Sequence, residues 1–311
     1  MDIEIIKNNG QTFYLSDYQI IVSDIKIQSI EMTDKYQDFE GIHGRRLVSS
    51  VYHKRKIVVP AFFIAENNVD FAIQRDLMFQ LLQDHEPFYI RELRKFEKDQ
   101  YRFKDTTQYD YQEVNGQGTP IYNKQANVYV SGNQYLVKLV NVMVPIQKLN
   151  KCNVVFEFET VELPFAESSG TSIQLHHNEI DNYWDFALDI DFNDTSKRTY
   201  IFENINKGKV FYHGTVPNNQ FNMYKKVKII IGTSTNAFDW SLNNRQTMSI
   251  KDIDLDAGDV LVYDGLNITK NNESIVEKTN IELPAFYPGF NNFLFNQTVK
   301  RVEFDMRFYK K

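Results

Sequence analysis

The chain has 311 residues, 42% of them hydrophobic and 24% charged, with 35 Lys and Arg against 41 Asp and Glu for a net charge of −6. That length accommodates two cores, and the acidic balance argues against nucleic acid as the main partner, because neutralising phosphates takes a surplus of Lys and Arg. Cys152 is the only cysteine, which excludes an intramolecular disulfide and a cysteine-based zinc site, and no run of about 18 apolar residues is present to cross a membrane.

The opening MDIEIIKNNG is acidic and has no apolar block, so no signal peptide is predicted and folding in a reducing cytosol is expected. The 24 Phe and 18 Tyr, with many Val, Ile and Thr, predict a mainly β chain. Ile3–Ile6 and Phe13–Leu15 read as a hairpin turned at Asn8-Asn9-Gly10. Residues 18–30 continue as extended chain.

Gly41 to Leu93 is the organising stretch. Lys56–Ile64 is a run of β-branched and aromatic residues and reads as a strand. Asn67 and Asn68 offer capping side chains for the one helix of consequence. Its predicted apolar stripe is Val69, Ile73, Leu77 and Leu81, with Ala72 and Met78 beside it. Glu86-Pro87 stops the helix, and Phe88–Leu93 resumes as a strand. Residues 95–130 are rich in Lys, Asp, Gln and Tyr and read as a polar arm packing on something other than their own core. Strands at Tyr135–Val144 and Val154–Val161 close a first domain, residues 1–163, a β-sandwich or barrel-like unit with one α-helix.

Residues 164–172 combine Pro, Ser and Gly and read as a linker. Residues 173–311 form the second domain, where extended segments recur at about 8–12 residues, the spacing of a β-sandwich. Lys209–His213, Lys225–Gly232, Asp259–Tyr263 and Val299–Phe308 are its clearest strands. Asn243-Asn244, Asp264-Gly265 and Asn271-Asn272 are its turns.

Catalytic and metal patterns are thin. Glu157, Glu159 and Glu162 approximate the E-x-D-x-x-E strand of retaining glycosidases on jelly-roll sandwiches, but Glu162 lies off the face shared by the other two. The competing reading turns Phe156 and Phe158 inward and the glutamates to solvent. Asp252, Asp254, Asp256 and Asp259 resemble half a calcium loop, with Ala257 where glycine is needed and Tyr263 where a bidentate glutamate is needed. An acidic turn explains them better. Asp189, Asp191 and Asp194 are similar. His176 and His177 would face opposite sides of a strand. Gly116-Gln117-Gly118 lacks the third glycine of a dinucleotide loop. No catalytic residue, cofactor site or metal site is assigned.

What remains is surface. Tyr101, Tyr109, Tyr111 and Tyr122 in the polar arm suit protein contacts, with a solvated loop as the plainer reading. Arg45, Arg46, Arg55 and their neighbours His53, Lys54 and Lys56 form a basic cluster that could pair across a subunit interface or guard a strand edge.

These residues together resemble the distal tail proteins of siphophages, the phages with long non-contractile tails, that infect Gram-positive bacteria. Gly41-Ile42-His43-Gly44 before the Arg55–Ile64 strand is similar to that family's G-x-x-G and R-x-I-x-V strand. Asp76–Tyr89, ending Glu86-Pro87-Phe88-Tyr89, is similar to its helix and following strand. Leu283-Pro284 and Pro288-Gly289-Phe290-Asn291-Asn292, before Phe293–Phe295 and Val299–Phe308, are similar to its closing P-G-x-N turn.

The resemblance implies a hexameric ring built by the first domain, a galectin-like sandwich as the second, and a location at the distal end of the virion tail. It implies a structural hub whose partners are further copies of the chain, the major tail tube protein, the tape measure protein, a tail-associated lysin or tip protein, and receptor-binding or baseplate proteins. The polar arm would be an inter-subunit belt. No cofactor and no catalytic residue come with the family. A galectin-like half also raises a carbohydrate-binding or receptor-binding module as the alternative, with Trp184 and Trp240 the stacking candidates, although no H-x-N-x-R run accompanies either. A wall hydrolase using Glu157 and Glu159 is the third reading.

Overall fold

The computed structural model describes all residues except Ile42, 95–127, 130–131, 180–182, 185–189, 191–193 and Leu283, and only the backbone at Val128 and Tyr129. In the first half, β1 (Asp2–Ile6) and β2 (Thr12–Tyr14) form the expected hairpin, with Ile5 opposite Phe13. Gly10 turns it at φ 84°, a conformation that favours glycine. Leu15 enters a 3₁₀ turn instead of extending the strand. The expected extended stretch of residues 18–30 is reduced to β3 (Ile21–Val22) and β4 (Lys26–Ile27). Beyond them come β5 (Met32–Asp38) and β6 (Arg45–Tyr52), which pair only with each other among the described residues.

β7 (Lys56–Ile64) alternates without a break, burying Ile57, Val59, Ala61 and Phe63. α1 (Asn68–Leu82) follows, and Asn67 Oδ1 accepts from Val69 N at 2.9 Å and Asp70 N at 3.0 Å. The predicted stripe is corrected here. Phe71, Met78 and Leu82 are buried, whereas Val69 is 72% exposed and Ile73 62%. A spacing of four residues advances about 40° beyond a full turn at each step, so that stripe winds around the helix. Spacings of seven and four residues keep Phe71, Met78 and Leu82 together, and Phe71 meets Phe63 with ring centroids 5.3 Å apart.

The half is completed by β8 (Phe88–Arg94), β9 (Val128–Tyr129), β10 (Asn133–Leu139), β11 (Ile146–Lys148), β12 (Lys151–Thr160) and β13 (Ala166–Ser168). The sheet runs β2-β1-β8-β10-β12-β7-β3, with β4 also on β7 and β11 on β12. Residues 140–144 do not continue β10 as expected.

The expected linker is a structured junction. β13 pairs with β10 on one side and with β22 (Tyr309–Lys310) on the other, so the last strand returns to the first sheet. Ser168 Oγ donates to Gly170 O at 2.7 Å and accepts from Phe308 N at 3.0 Å. A Cβ on Gly170 would stand 2.8 Å from Tyr183 Cβ. The small residues here serve close packing, not slack.

The second half contains α2 (Ser172–His176), β14 (Ile201–Tyr212), β15 (Lys225–Ile231), β16 (Thr235–Leu242), β17 (Gln246–Leu255), β18 (Val260–Tyr263), β19 (Ile268–Lys270), β20 (Glu273–Ser274) and β21 (Gly289–Met306). β14 lines one edge of the 18-residue β21, while β16 and then β15 share its other edge. One strand thus changes neighbours along its length, and the sheet curls around a core that includes Phe238, Trp240, Tyr263, Phe293, Phe295 and Phe304. Both Asn-Asn turns have positive φ at each residue, 53° and 52° at Asn243-Asn244 and 49° and 73° at Asn271-Asn272. That is the left-handed geometry tight hairpins require.

Candidate assembly interface

The β5–β6 hairpin is an arm without a core. All of β5 is exposed, and so is all of β6 except the half-buried Tyr52. Opposed residues of an antiparallel pair share a face. Met32 opposite Tyr52 and Tyr36 opposite Leu47 therefore put four large side chains on one side, with Asp34 and Ser50 between them. Ser50 Oγ donates to Asp34 Oδ1 at 2.6 Å, and the Arg45 guanidinium lies 3.8 Å from the Tyr36 ring centroid. The register slips between Lys35 and Tyr36, leaving Val48 as an extra residue. At the tip, Gly41 and Gly44 adopt φ 79° and 94°, which gives the G-x-x-G motif its physical reason.

A second surface with no partner among the described residues is the outer face of the main sheet. Its register aligns Ile21, Phe62, Asn153 and Ile146 in one row, with Pro60 beside Val155 in another. Val142 is 81% exposed, Val144 66% and Ile146 57%. Asn141 seals the strand edge there, donating to Val155 O at 2.8 Å and accepting from Glu157 N at 2.9 Å. Sequence reasoning missed this face, because an alternating apolar run reads the same whichever side meets the core.

The basic cluster splits three ways. Arg45 and Arg46 stand on the arm. Arg55 does not: it begins the inward parity of β7, is 5% exposed, and its Nη1 lies 3.4 Å from Tyr135 Oη. Lys54 and Lys56 face outward and pair with Glu159 and Glu157, and the hydrogen bond to Glu159 holds the Lys54 ammonium above the ordinary lysine value. Tyr101, Tyr109, Tyr111 and Tyr122 lie outside the described residues.

Both tryptophans are corrected as stacking candidates. Trp240 is fully buried against Tyr263, and Trp184 is 6% exposed against Phe308. Neither offers a ring face to a sugar. β16 turns Phe238, Trp240 and Leu242 inward by alternation, which consigns Trp240 to the core.

The acidic patterns take the plainer reading. Phe156 and Phe158 are buried, and the lysine pairs occupy Glu157 and Glu159. Asp259 is bound by Asn271 Nδ2 at 2.8 Å, Asp256 N at 2.8 Å and Lys270 Nζ at 3.0 Å, and the Asn271 bond leads in lowering its pKa. Among the described residues no three His, Cys, Asp or Glu side chains gather to hold a metal. Asp189 and Asp191 lie outside the described residues, and Asp194 caps a turn by accepting from Ser196 N at 3.0 Å. His176 and His177 do not straddle a strand. His176 ends α2, His177 caps it, and their rings meet edge to face.

The roles of two further polar groups escaped the sequence reading. Asn291 is fully buried; its Nδ2 donates to Tyr287 O and Gly289 O, and its Oδ1 accepts from Tyr287 N and Asn243 Nδ2. That staple is what the P-G-x-N turn needs asparagine for. At the junction, Glu167 accepts from Arg307 Nη1 at 2.7 Å and Gln134 Nε2 at 2.9 Å, tying the halves through charge-assisted bonds.

Comparison with known proteins adds three findings. The profile of the phage tail protein RIFT-related domain matches residues 8–165. No curated protein matches. Among solved structures, the crystal structure of the Dit (gp 19.1) protein of phage SPP1, described as a paradigm of hub adsorption apparatus in Gram-positive infecting phages, overlays with a TM-score of 0.61 at 11% identity, covering 99% of this chain and 98% of that one. The baseplate of phage p2 in its activated conformation with strontium gives 0.37 at 7% identity, covering 98% and 97%, too loose an overlay to argue from. At such identities the SPP1 likeness is one of fold. The profile spans just over half of the sequence, from the first hairpin turn to the start of the junction, and the chain belongs to the phage tail protein RIFT-related domain family.

Proposed function

We propose that this chain is the distal hub of a siphophage tail, a structural protein whose copies close into a ring at the end of the tail tube. The observation that carries the reading is the β5–β6 arm. An isolated two-stranded ribbon is marginal in water, and among the described residues this one leaves Met32, Tyr36, Leu47, Val48 and Val51 exposed. A heterologous contact that closes on itself puts such an arm against the next copy. Six copies follow from the family resemblance. Arg45 and Arg46 are arm contacts in this reading, and Tyr101, Tyr109, Tyr111 and Tyr122 stay candidate contacts from the sequence.

Residues 1–163 would make the ring and residues 173–311, as a galectin-like sandwich, its periphery. The partners are the tube protein, the tape measure protein, a tip protein or lysin, and the receptor-binding baseplate proteins, placing the chain at the distal end of the virion tail. Among the described residues the glutamates weighed for catalysis are paired with lysines, and a sugar-binding role loses both tryptophans. Light scattering after size exclusion, with negative-stain microscopy, tests the reading. A closed ring is expected, and a strict monomer both alone and mixed with tube protein would refute it.

A further inference from the structure

At the root of the arm lies a cavity of about 530 Å³ lined by Ile27, Gln28, Ile30, Met32, Tyr52, Tyr135, Arg55 and Lys311. Its described walls are largely apolar and aromatic, with Gln28 and Ser29 among them, and the two ionic side chains on them are both cations. Arg55 is only 5% exposed. Its Nη1 makes the long contact with Tyr135 Oη, its guanidinium carbon sits 5.6 Å from the Tyr135 ring centroid, and its buried Nε has no partner. No carboxylate pairs with it among the described residues. Glu92, whose charge reaches Tyr135, is itself paired with Arg94 at 2.6 Å. Lys311 holds its ammonium 5.0 Å from the Tyr52 ring centroid.

Guanidinium groups buried without an anion are rare, because desolvating the charge is costly unless a partner compensates. Lys54 and Lys56, one residue to either side, each have a glutamate. Arg55 alone of the three has none. A planar donor fork beside apolar walls, with a second cation on the same lining, matches a carboxylate on a short aliphatic stem.

We propose that this cavity is a carboxylate-binding site, with Arg55 gripping the carboxylate from the floor, Lys311 closing over it, and Ile27, Ile30 and Tyr52 packing its aliphatic stem. Two sources share that chemistry: an acidic side chain of an adjoining protein chain, or a free small carboxylate. The site does not depend on the ring reading, since its first measurement is made on the chain in any assembly state.

The full chain is melted in succinate and in chloride at matched ionic strength, as wild type, Arg55→Met and Lys311→Ala. Succinate is expected to raise the wild-type midpoint by a few degrees, as a ligand selective for the folded state must. Arg55→Met abolishes the shift, and Lys311→Ala weakens succinate binding several-fold. Should Arg55→Met fail to fold, the wild type and the exposed Lys311→Ala decide. Self-association is then followed by light scattering in the same two salts. If a neighbouring chain supplies the carboxylate, succinate weakens association about ten-fold by competition; if the ligand is free, association is unchanged while the melting shift persists. A wild type whose melting and association are both indifferent to succinate, or a shift that survives unchanged in Arg55→Met, overturns the assignment.

Discussion

His213 should make the second half of this protein acid-labile. Its ring is packed between Phe211 and Phe308, with centroids 4.6 Å and 5.1 Å away, and its Nε2 lies 3.0 Å from Lys197 O. Burial pushes its pKa down from 6.5 to about 4, with the Lys197 carbonyl acting weakly the other way. The folded state therefore resists a proton that the unfolded chain accepts. Stability from this group is complete above pH 6.5 and drains away as pH falls towards 4. Between pH 7.5 and 4.5 the two values give a loss of about 2.5 kcal/mol, or about 2 kcal/mol after allowing for the ring's partial exposure.

Urea unfolding followed by tryptophan fluorescence reads this half selectively, because Trp184 and Trp240 both sit in its core. His213→Phe keeps the aromatic packing, and the Lys197 carbonyl keeps the Tyr200 hydroxyl, which donates to it at 3.1 Å. The variant should lose about 1 kcal/mol at neutral pH for the missing hydrogen bond and be flatter than wild type by about 2 kcal/mol across that window. Carboxylates held low by their partners, Asp194 and Asp259 among them, drain stability only around and below their ordinary pKa, so the upper part of the window isolates the histidine. Equal pH slopes for wild type and variant would refute the argument.

Three other outcomes are expected. Asn291→Ala removes the partner of the half-buried Tyr287 amide and carbonyl and should cost about 2 kcal/mol by denaturant titration. Asn67→Ala removes the acceptor for two amides at the start of α1 and should cost about 1 kcal/mol, seen as a lower urea midpoint by circular dichroism. Leu47→Lys on the arm, at a position 51% exposed, should leave the melting of the solitary chain within about 0.5 kcal/mol while abolishing self-association in light scattering.

Much of the scaffold was legible because a local rule decided it. β7 runs over the predicted residues, since a run of β-branched and aromatic residues favours a strand, and the asparagine pairs turn hairpins because few residues tolerate positive φ. The rest depended on what lies opposite. The helix face was misplaced because the four-residue spacing that suggested it drifts around the helix. The arm at residues 32–52 carries no inward period, having no inside, so composition drew attention to residues 95–130 instead. Arg55 was grouped with its charged neighbours, although one step of parity sends it inward while Lys54 and Lys56 go out. Its pocket could not be seen from sequence at all, since Ile27, Tyr52, Tyr135 and Lys311 meet only in the fold.

The hub reading also accounts for how the two halves are joined. A flexible tether would let the second half swing, and Pro, Ser and Gly in residues 164–172 suggested one. Instead β13 is paired on both sides, the terminal β22 crosses back to it, and Glu167 is clamped by Arg307 and Gln134. Bending at that point means breaking backbone pairs and a partly buried ion pair together, so the halves are set to move as one piece. The arm and the outer sheet face lie on the first half, and Lys311 alone reaches the cavity at the arm's root from the second. A rigid joint beside concentrated, unpartnered contact surface is the division of labour expected of a subunit that is gripped by its neighbours at one end and must hold the other end at a fixed bearing.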